Sequence, residues 1–185
     1  MVVNRLSDGQ PWKIAQDAYN EIEADAAFYG IANKRQKPNA MSVLAYPNEL
    51  ILVSSQKGKA SFAYGYAKSK VLKSLRLCQI VWNDIKEKDE PHRKGGSCGE
   101  VMAAHLYYTQ NDWPLEERNA RVATVVYDGH EAPCYSDSQV VWGCNLFVKA
   151  EGLTYLDTSI ADEDYVLKDV TGTDLEITQI PLCSA

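Results

Sequence analysis

The stretch MSVLAYPNELILVSS, residues 41 to 55, constrains the fold most. Two β-prone runs flank Tyr46-Pro47-Asn48-Glu49, a segment whose proline and asparagine favour a reversal, so the stretch reads as a β-hairpin. A hairpin commits the chain to a sheet. Its apolar faces must then be covered by the segments on either side.

Those segments are mostly helical. Trp12, Ala15, Ala18, Tyr19, Ile22, Ala26 and Tyr29 recur at intervals of three and four between Pro11 and Ile31, behind Ser7 and Asp8 and ahead of Gly30. This predicts one amphipathic helix. KVLKSLRLCQIVWNDIKEK predicts a second, with Val71, Leu72, Leu75, Leu77, Cys78, Val81, Trp82 and Ile85 on its inner side.

EPHRKGGS is a turn-rich loop, after which Ser97 is placed to cap a helix from about Cys98 to Tyr108 with Val101, Met102, His105 and Leu106 inward. RVATVVYD then reads as a buried strand, GHEAPCYSDSQVVWG as a loop and CNLFVKAEG as a short helical turn. LTYLDTS is a further strand, and YVLKDVTGTDLEITQI offers one more strand or hairpin.

The expected fold is therefore α/β, with a mixed β-sheet flanked by helices in three layers. With 185 residues, no repeat and no clear linker, one domain over 1–185 is expected. Within it, 1–38 reads as an N-terminal helical extension, 39–160 as the core and 161–185 as a C-terminal strand or tail.

Composition narrows the partners. No apolar run approaches the roughly 18 residues needed to cross a bilayer, so no membrane partner is expected. The formal net charge of -6 argues against coating nucleic acid by charge alone, although Lys34, Arg35, Lys37, Lys68, Lys70, Lys73, Arg76, His92, Arg93 and Lys94 offer a local basic track. MVVNRLSDGQPWK lacks the features of a secretory signal, and five cysteines, an odd number, suit reduced thiols. An intracellular setting is the expectation, with delivery as a toxin also compatible; oligomeric state is not legible.

Three of those thiols fall where a site can form. Cys98 and Cys144 begin helices and Cys134 sits in a loop after a strand. A helix start favours the thiolate that zinc requires, and three thiolates leave one corner of a tetrahedral ion open, the catalytic pattern. Glu100, in the first helical turn beside Cys98, can project over that corner and move protons without being a ligand. Cys78, within an apolar helix, and Cys183, within the tail, lack such company.

Cys98-Gly99-Glu100, then Pro133-Cys134, then Cys144 resembles the zinc deaminase superfamily, whose pattern is His or Cys, any residue, Glu, followed by P-C-x-x-C. A cysteine at the first position resembles the Cys-ligated branch, which includes bacterial toxin-associated and fungal deaminase-like proteins. The resemblance implies a cytidine-deaminase-like fold over about residues 39 to 160, zinc held by Cys98, Cys134 and Cys144, and a proton shuttle at Glu100. It further implies hydroxide attack on the amino-bearing carbon of a base, cytosine before adenine, with release of ammonia. One departure is plain: nine residues, YSDSQVVWG, separate Cys134 from Cys144 where the common pattern has two.

Ser97, Gly99, Trp142, Tyr135 and His92 are the candidate substrate contacts, the aromatic ones by stacking on a base in single-stranded DNA or RNA. A free nucleoside or base is the alternative substrate. Two further readings compete: a papain-like cysteine hydrolase with Cys98 as nucleophile, His130 as base and Asn145 as orienter, and a binding module in which zinc only staples loops, with His105, His92 or His130 as the fourth ligand.

Overall fold

The computed structural model describes residues 6–47, 49–57, 62–135, 138 and 140–171. In chain order the elements are α1 (Gln10–Phe28), β1 (Ala40–Tyr46), β2 (Glu49–Ser54), α2 (Phe62–Gly65), α3 (Lys70–Lys86), α4 (Gly99–Gln110), β3 (Arg121–Val126), β4 (Gly129–Glu131), α5 (Cys144–Ala150), β5 (Thr154–Tyr155) and α6 (Leu167–Thr171), with a 3-10 turn over Leu115–Glu117. The strands form one five-stranded sheet: β2, β1, β3 and β4 lie in that order with each pair antiparallel, and the two-residue β5 runs parallel to the start of β3.

The expected hairpin is present as β1 and β2, with Tyr46 opposite Glu49 across the reversal. β1 is buried at every residue, as a central strand covered on both faces must be. Alternation along it sorts the core into two halves. Met41, Val43 and Ala45, with Ala123 and Val125 of β3, meet Trp12, Ala15, Ala18 and Tyr19 of α1. Leu44, Tyr46 and Val122 face the other way, onto α3, α4 and α5. The result is a sheet flanked by helices on both sides.

Helix α1, read from the sequence as an extension of the core, covers one whole face of the sheet, and Trp12 is fully buried there. Two helix faces differ from expectation. On α3 the buried stripe is Val71, Leu72, Leu75, Cys78 and Trp82, whereas Leu77, Val81 and Ile85 are exposed. At 100° per residue, Leu77 lies more than half a turn from Leu75, so one helix cannot bury both.

On α4 the buried residues include Glu100, Val101, Ala103, Ala104 and Tyr107; of the residues expected inward, Val101 is buried, Met102 packs half-buried against the core, His105 is half-buried and Leu106 is exposed. Small alanines let the helix lie close to the sheet, and that choice of face carries Glu100 inward with them. Close approach also explains Gly99, where a Cβ would stand 2.1 Å from Ser42 Oγ.

β4 forms inside the stretch read as a loop, and the strand expected over LTYLDTS shrinks to β5. Of the expected C-terminal strand, residues 167–171 are helical instead; the rest of the tail, with Cys183, lies outside the described residues. Among the described residues no helix is long and apolar enough to cross a membrane.

Candidate metal centre

Four side chains from three parts of the chain converge on the α4 face of the sheet. Cys98 is the N-cap of α4, Cys134 follows β4, Cys144 opens α5 and His92 lies in the loop before α4. Their donor atoms all lie within 4.8 Å of one another. The cluster could hold a metal ion.

Its dimensions fit one. The sulfurs of Cys98 and Cys134 are 3.7 Å apart and the cysteines are free thiols, not a disulfide. Two thiolates at tetrahedral corners about 2.3 Å from a zinc ion stand about 3.8 Å apart. Cys144 adds its backbone N–H, which donates to Cys134 Sγ at 3.2 Å, and its own sulfur, 3.5 Å from His92 Nε2. Thiolate-rich donor sets favour soft or borderline ions such as zinc.

The nine residues between Cys134 and Cys144 do not prevent the third cysteine from joining. Gly143 makes it possible: a Cβ at that position would meet Cys134 Sγ at 2.5 Å, Tyr135 Cδ2 at 2.8 Å and Cys134 O at 3.0 Å. Only a glycine lets the returning chain press against Cys134 closely enough to deliver Cys144.

The three thiols differ in their hold on a proton. Hydrogen bonds from Cys144 and Cys98, with help from His92 and the Cys144 amide, hold Cys134 far below the ordinary thiol range. Cys98 is pushed up, first by its hydrogen bond to Cys134, and Cys144 is pushed up by burial and then by the same donation. Thiols that share hydrogen bonds in this way are poised to exchange protons for a cation.

Glu100 is 4% exposed and accepts a hydrogen bond from Cys144 Sγ at Oε2, 3.4 Å away. Burial raises its pKa, opposed in part by hydrogen bonds from Cys144 and Thr124. Thr124 in turn shares a 2.7 Å hydrogen bond with Ser42, its cross-strand partner. Two hydroxyls on neighbouring strands thus lead to the carboxylate.

A cleft of about 430 Å³ opens onto this group, lined by Cys98, Gly99, Glu100, Cys134 and Ser97, with Asn39, Gln56, Lys57, Lys94, Thr124 and Glu131 among its other walls. That volume is in the range of small-molecule sites. Cys144 and His92, 0% and 1% exposed, lie behind the lining.

The other sequence candidates divide accordingly. Ser97 and Gly99 line the cleft. Trp142 is buried, its indole N–H donating to Glu90 O at 2.7 Å and its ring set edge to face against His92, 5.3 Å between centroids. Tyr135 packs beside Gly143 with a left-handed backbone. His130 lies on β4, stacked at 4.1 Å on Trp12, with Nε2 2.7 Å from Asp162 and Nδ1 3.2 Å from Thr158 O. Asn145 accepts from the Gly143 amide, and His105 is 3.1 Å from Ser69 Oγ. Lys37 pairs with Glu23 and Lys70 with Asp112, leaving Lys57 and Lys94 as the cations at the cleft among its lining residues.

Sequence spacing alone did not single out His92 for the cluster. The readable signal was Gly95-Gly96, both at positive φ, which turns the loop back on His92. Comparison of the chain with protein-family models, with curated proteins and with solved structures found no match.

Proposed function

We propose that the protein is a zinc-dependent hydrolytic deaminase that converts cytosine to uracil in single-stranded nucleic acid, with Glu100 as the proton carrier. The observation that carries this reading is the position of Glu100: a buried carboxylate against the thiol cluster, lining the cleft through which a substrate enters. The layering of sheet and helices, with Cys98 and Cys144 at helix starts on one face, supports a cytidine-deaminase-like fold as part of the same reading.

Cys98, Cys134 and Cys144 would hold the ion, which when bound supplies Lewis acidity that brings the ionisation of water near neutral pH. The rest falls to the chain. Glu100 takes a proton from water and returns it to the amino group that leaves as ammonia, so cytosine and water become uracil and ammonia. Ser42 and Thr124 hold the carboxylate in place. A base must leave its stack to reach so buried a group, which a single strand permits at least cost. Lys57 and Lys94 at the cleft suit a phosphate backbone, and a free nucleoside would use the same chemistry without them.

Zinc content and ammonia release, measured together on single-stranded DNA, RNA, cytidine and adenosine, test the proposal. Zinc-replete protein releasing ammonia from none of them would reject it. A second reading, zinc as a staple without turnover, draws on the four-donor set His92, Cys98, Cys134 and Cys144.

A further inference from the structure

We propose that His92 is not a ligand of the metal but an Nε2–H donor to the thiolates behind it, so that three cysteines hold the ion and its fourth position belongs to what enters the cleft. The inference rests on the metal-centre reading and deepens it. The 3.5 Å between His92 Nε2 and Cys144 Sγ suits either two ligands of one ion or an N–H···S hydrogen bond, so that distance does not decide.

The other ring nitrogen does. Nδ1 faces two backbone donors, the amide of Lys94 at 3.1 Å and the amide of Gly96 at 3.3 Å. Both are N–H groups and cannot accept, so Nδ1 carries no proton. A neutral imidazole has one N–H, which must then be on Nε2. Ligation through Nε2 would strip that proton too and leave an imidazolate. Metal-bound histidines ordinarily do the reverse and donate from the nitrogen that faces away from the ion.

Flipping the ring does not help, since it would set Cδ2 against both amides and leave the buried one, of Gly96, unsatisfied. The ring is also fixed from outside. Tyr64 Oη accepts the His92 amide at 2.9 Å, Trp142 covers the ring edge-on, and the Arg93 amide donates to Trp142 O at 3.1 Å. Gly96 can approach only because it is glycine at φ +69, where a Cβ would stand 3.0 Å from Ala63 Cβ and 3.1 Å from Leu75 Cδ1. The stretch 94–98 thus supplies the two amides that meet Nδ1, from Lys94 and Gly96, and the thiol of Cys98.

The test is nuclear magnetic resonance of the full chain, whose three histidines keep the ring signals few. In 15N-labelled protein, metal-free and loaded with 113Cd, the expected result is a protonated Nε2 on His92 in both states and no scalar coupling between 113Cd and its ring protons. Coupling to those protons, or a proton on Nδ1, would overturn the assignment while leaving a metal site, now a four-ligand staple. Wild-type protein that takes up neither zinc nor cadmium would overturn the metal reading and this one with it.

Substitution gives an independent readout. His92→Gln keeps an N–H donor of similar reach and should bind zinc within about tenfold of wild type, while His92→Ala should weaken it about 10- to 100-fold, the usual cost of a lost outer-shell partner. Folded His92→Gln protein that loses zinc as completely as Cys98→Ala would contradict the donor role.

Discussion

Glu100 and Cys144, forty-four residues apart, meet at 3.4 Å between a carboxylate oxygen and a thiol that are both buried. One is in the first turn of α4 and the other opens α5. A buried carboxylate and a thiol of the candidate metal cluster are thereby fixed to separate rigid elements packed on the same sheet face.

Each of Cys98→Ala, Cys134→Ala and Cys144→Ala should lose zinc at a chelator concentration that leaves wild type at one ion per chain. Elemental analysis after dialysis reads this directly. Cys78→Ala should keep the ion, because that thiol is buried in α3 away from the cluster and burial pushes its pKa up to about 11.

Glu100→Gln should keep both fold and zinc while turnover falls by roughly 10²- to 10⁴-fold, the range for a lost general acid–base. A melt, a zinc assay and a rate measurement on the same preparation separate these effects. Loss of zinc in this variant would make Glu100 a ligand.

Gly143→Ala should strike the centre without altering a donor. Its new methyl would stand 2.5 Å from Cys134 Sγ, and overpacking of this kind costs about 1–3 kcal/mol. We expect a lower melting temperature together with weaker zinc binding, read by calorimetry with and without metal. A variant that binds zinc like wild type would show that the loop delivers Cys144 by another path.

Trp12→Ala should destabilise the fold by about 3–5 kcal/mol, the cost of emptying a large core site, because α1 closes one face of the sheet. Denaturant unfolding measures it. A change below about 1 kcal/mol would return α1 to the status of an appendage.

The legible parts of the fold were those with a clean period. The hairpin, α1 and β3 announce themselves because each has one strongly preferred face or is buried throughout. Helix α4 does not: GEVMAAHLYY is apolar on nearly every side, so its pattern could not say that Ala103 and Ala104 face the sheet and Glu100 goes in with them. The three cysteines were legible because each lies at an element boundary where a side chain can be aimed. His92 was legible only as one of three possible fourth ligands beside His105 and His130, since what brings it rather than the others to Cys144 is the pair of left-handed glycines at 95 and 96, a backbone event without side-chain periodicity.

The most direct test of the central claim compares wild type with Glu100→Gln, both carrying one zinc per chain, on a single-stranded oligonucleotide containing one cytosine, with the product read by mass spectrometry. The account predicts a gain of about 1 Da, cytosine to uracil, with wild type and loss of that conversion with Glu100→Gln. Equal conversion by the two proteins, or none by zinc-loaded wild type on this strand or on RNA, cytidine and adenosine, would contradict it.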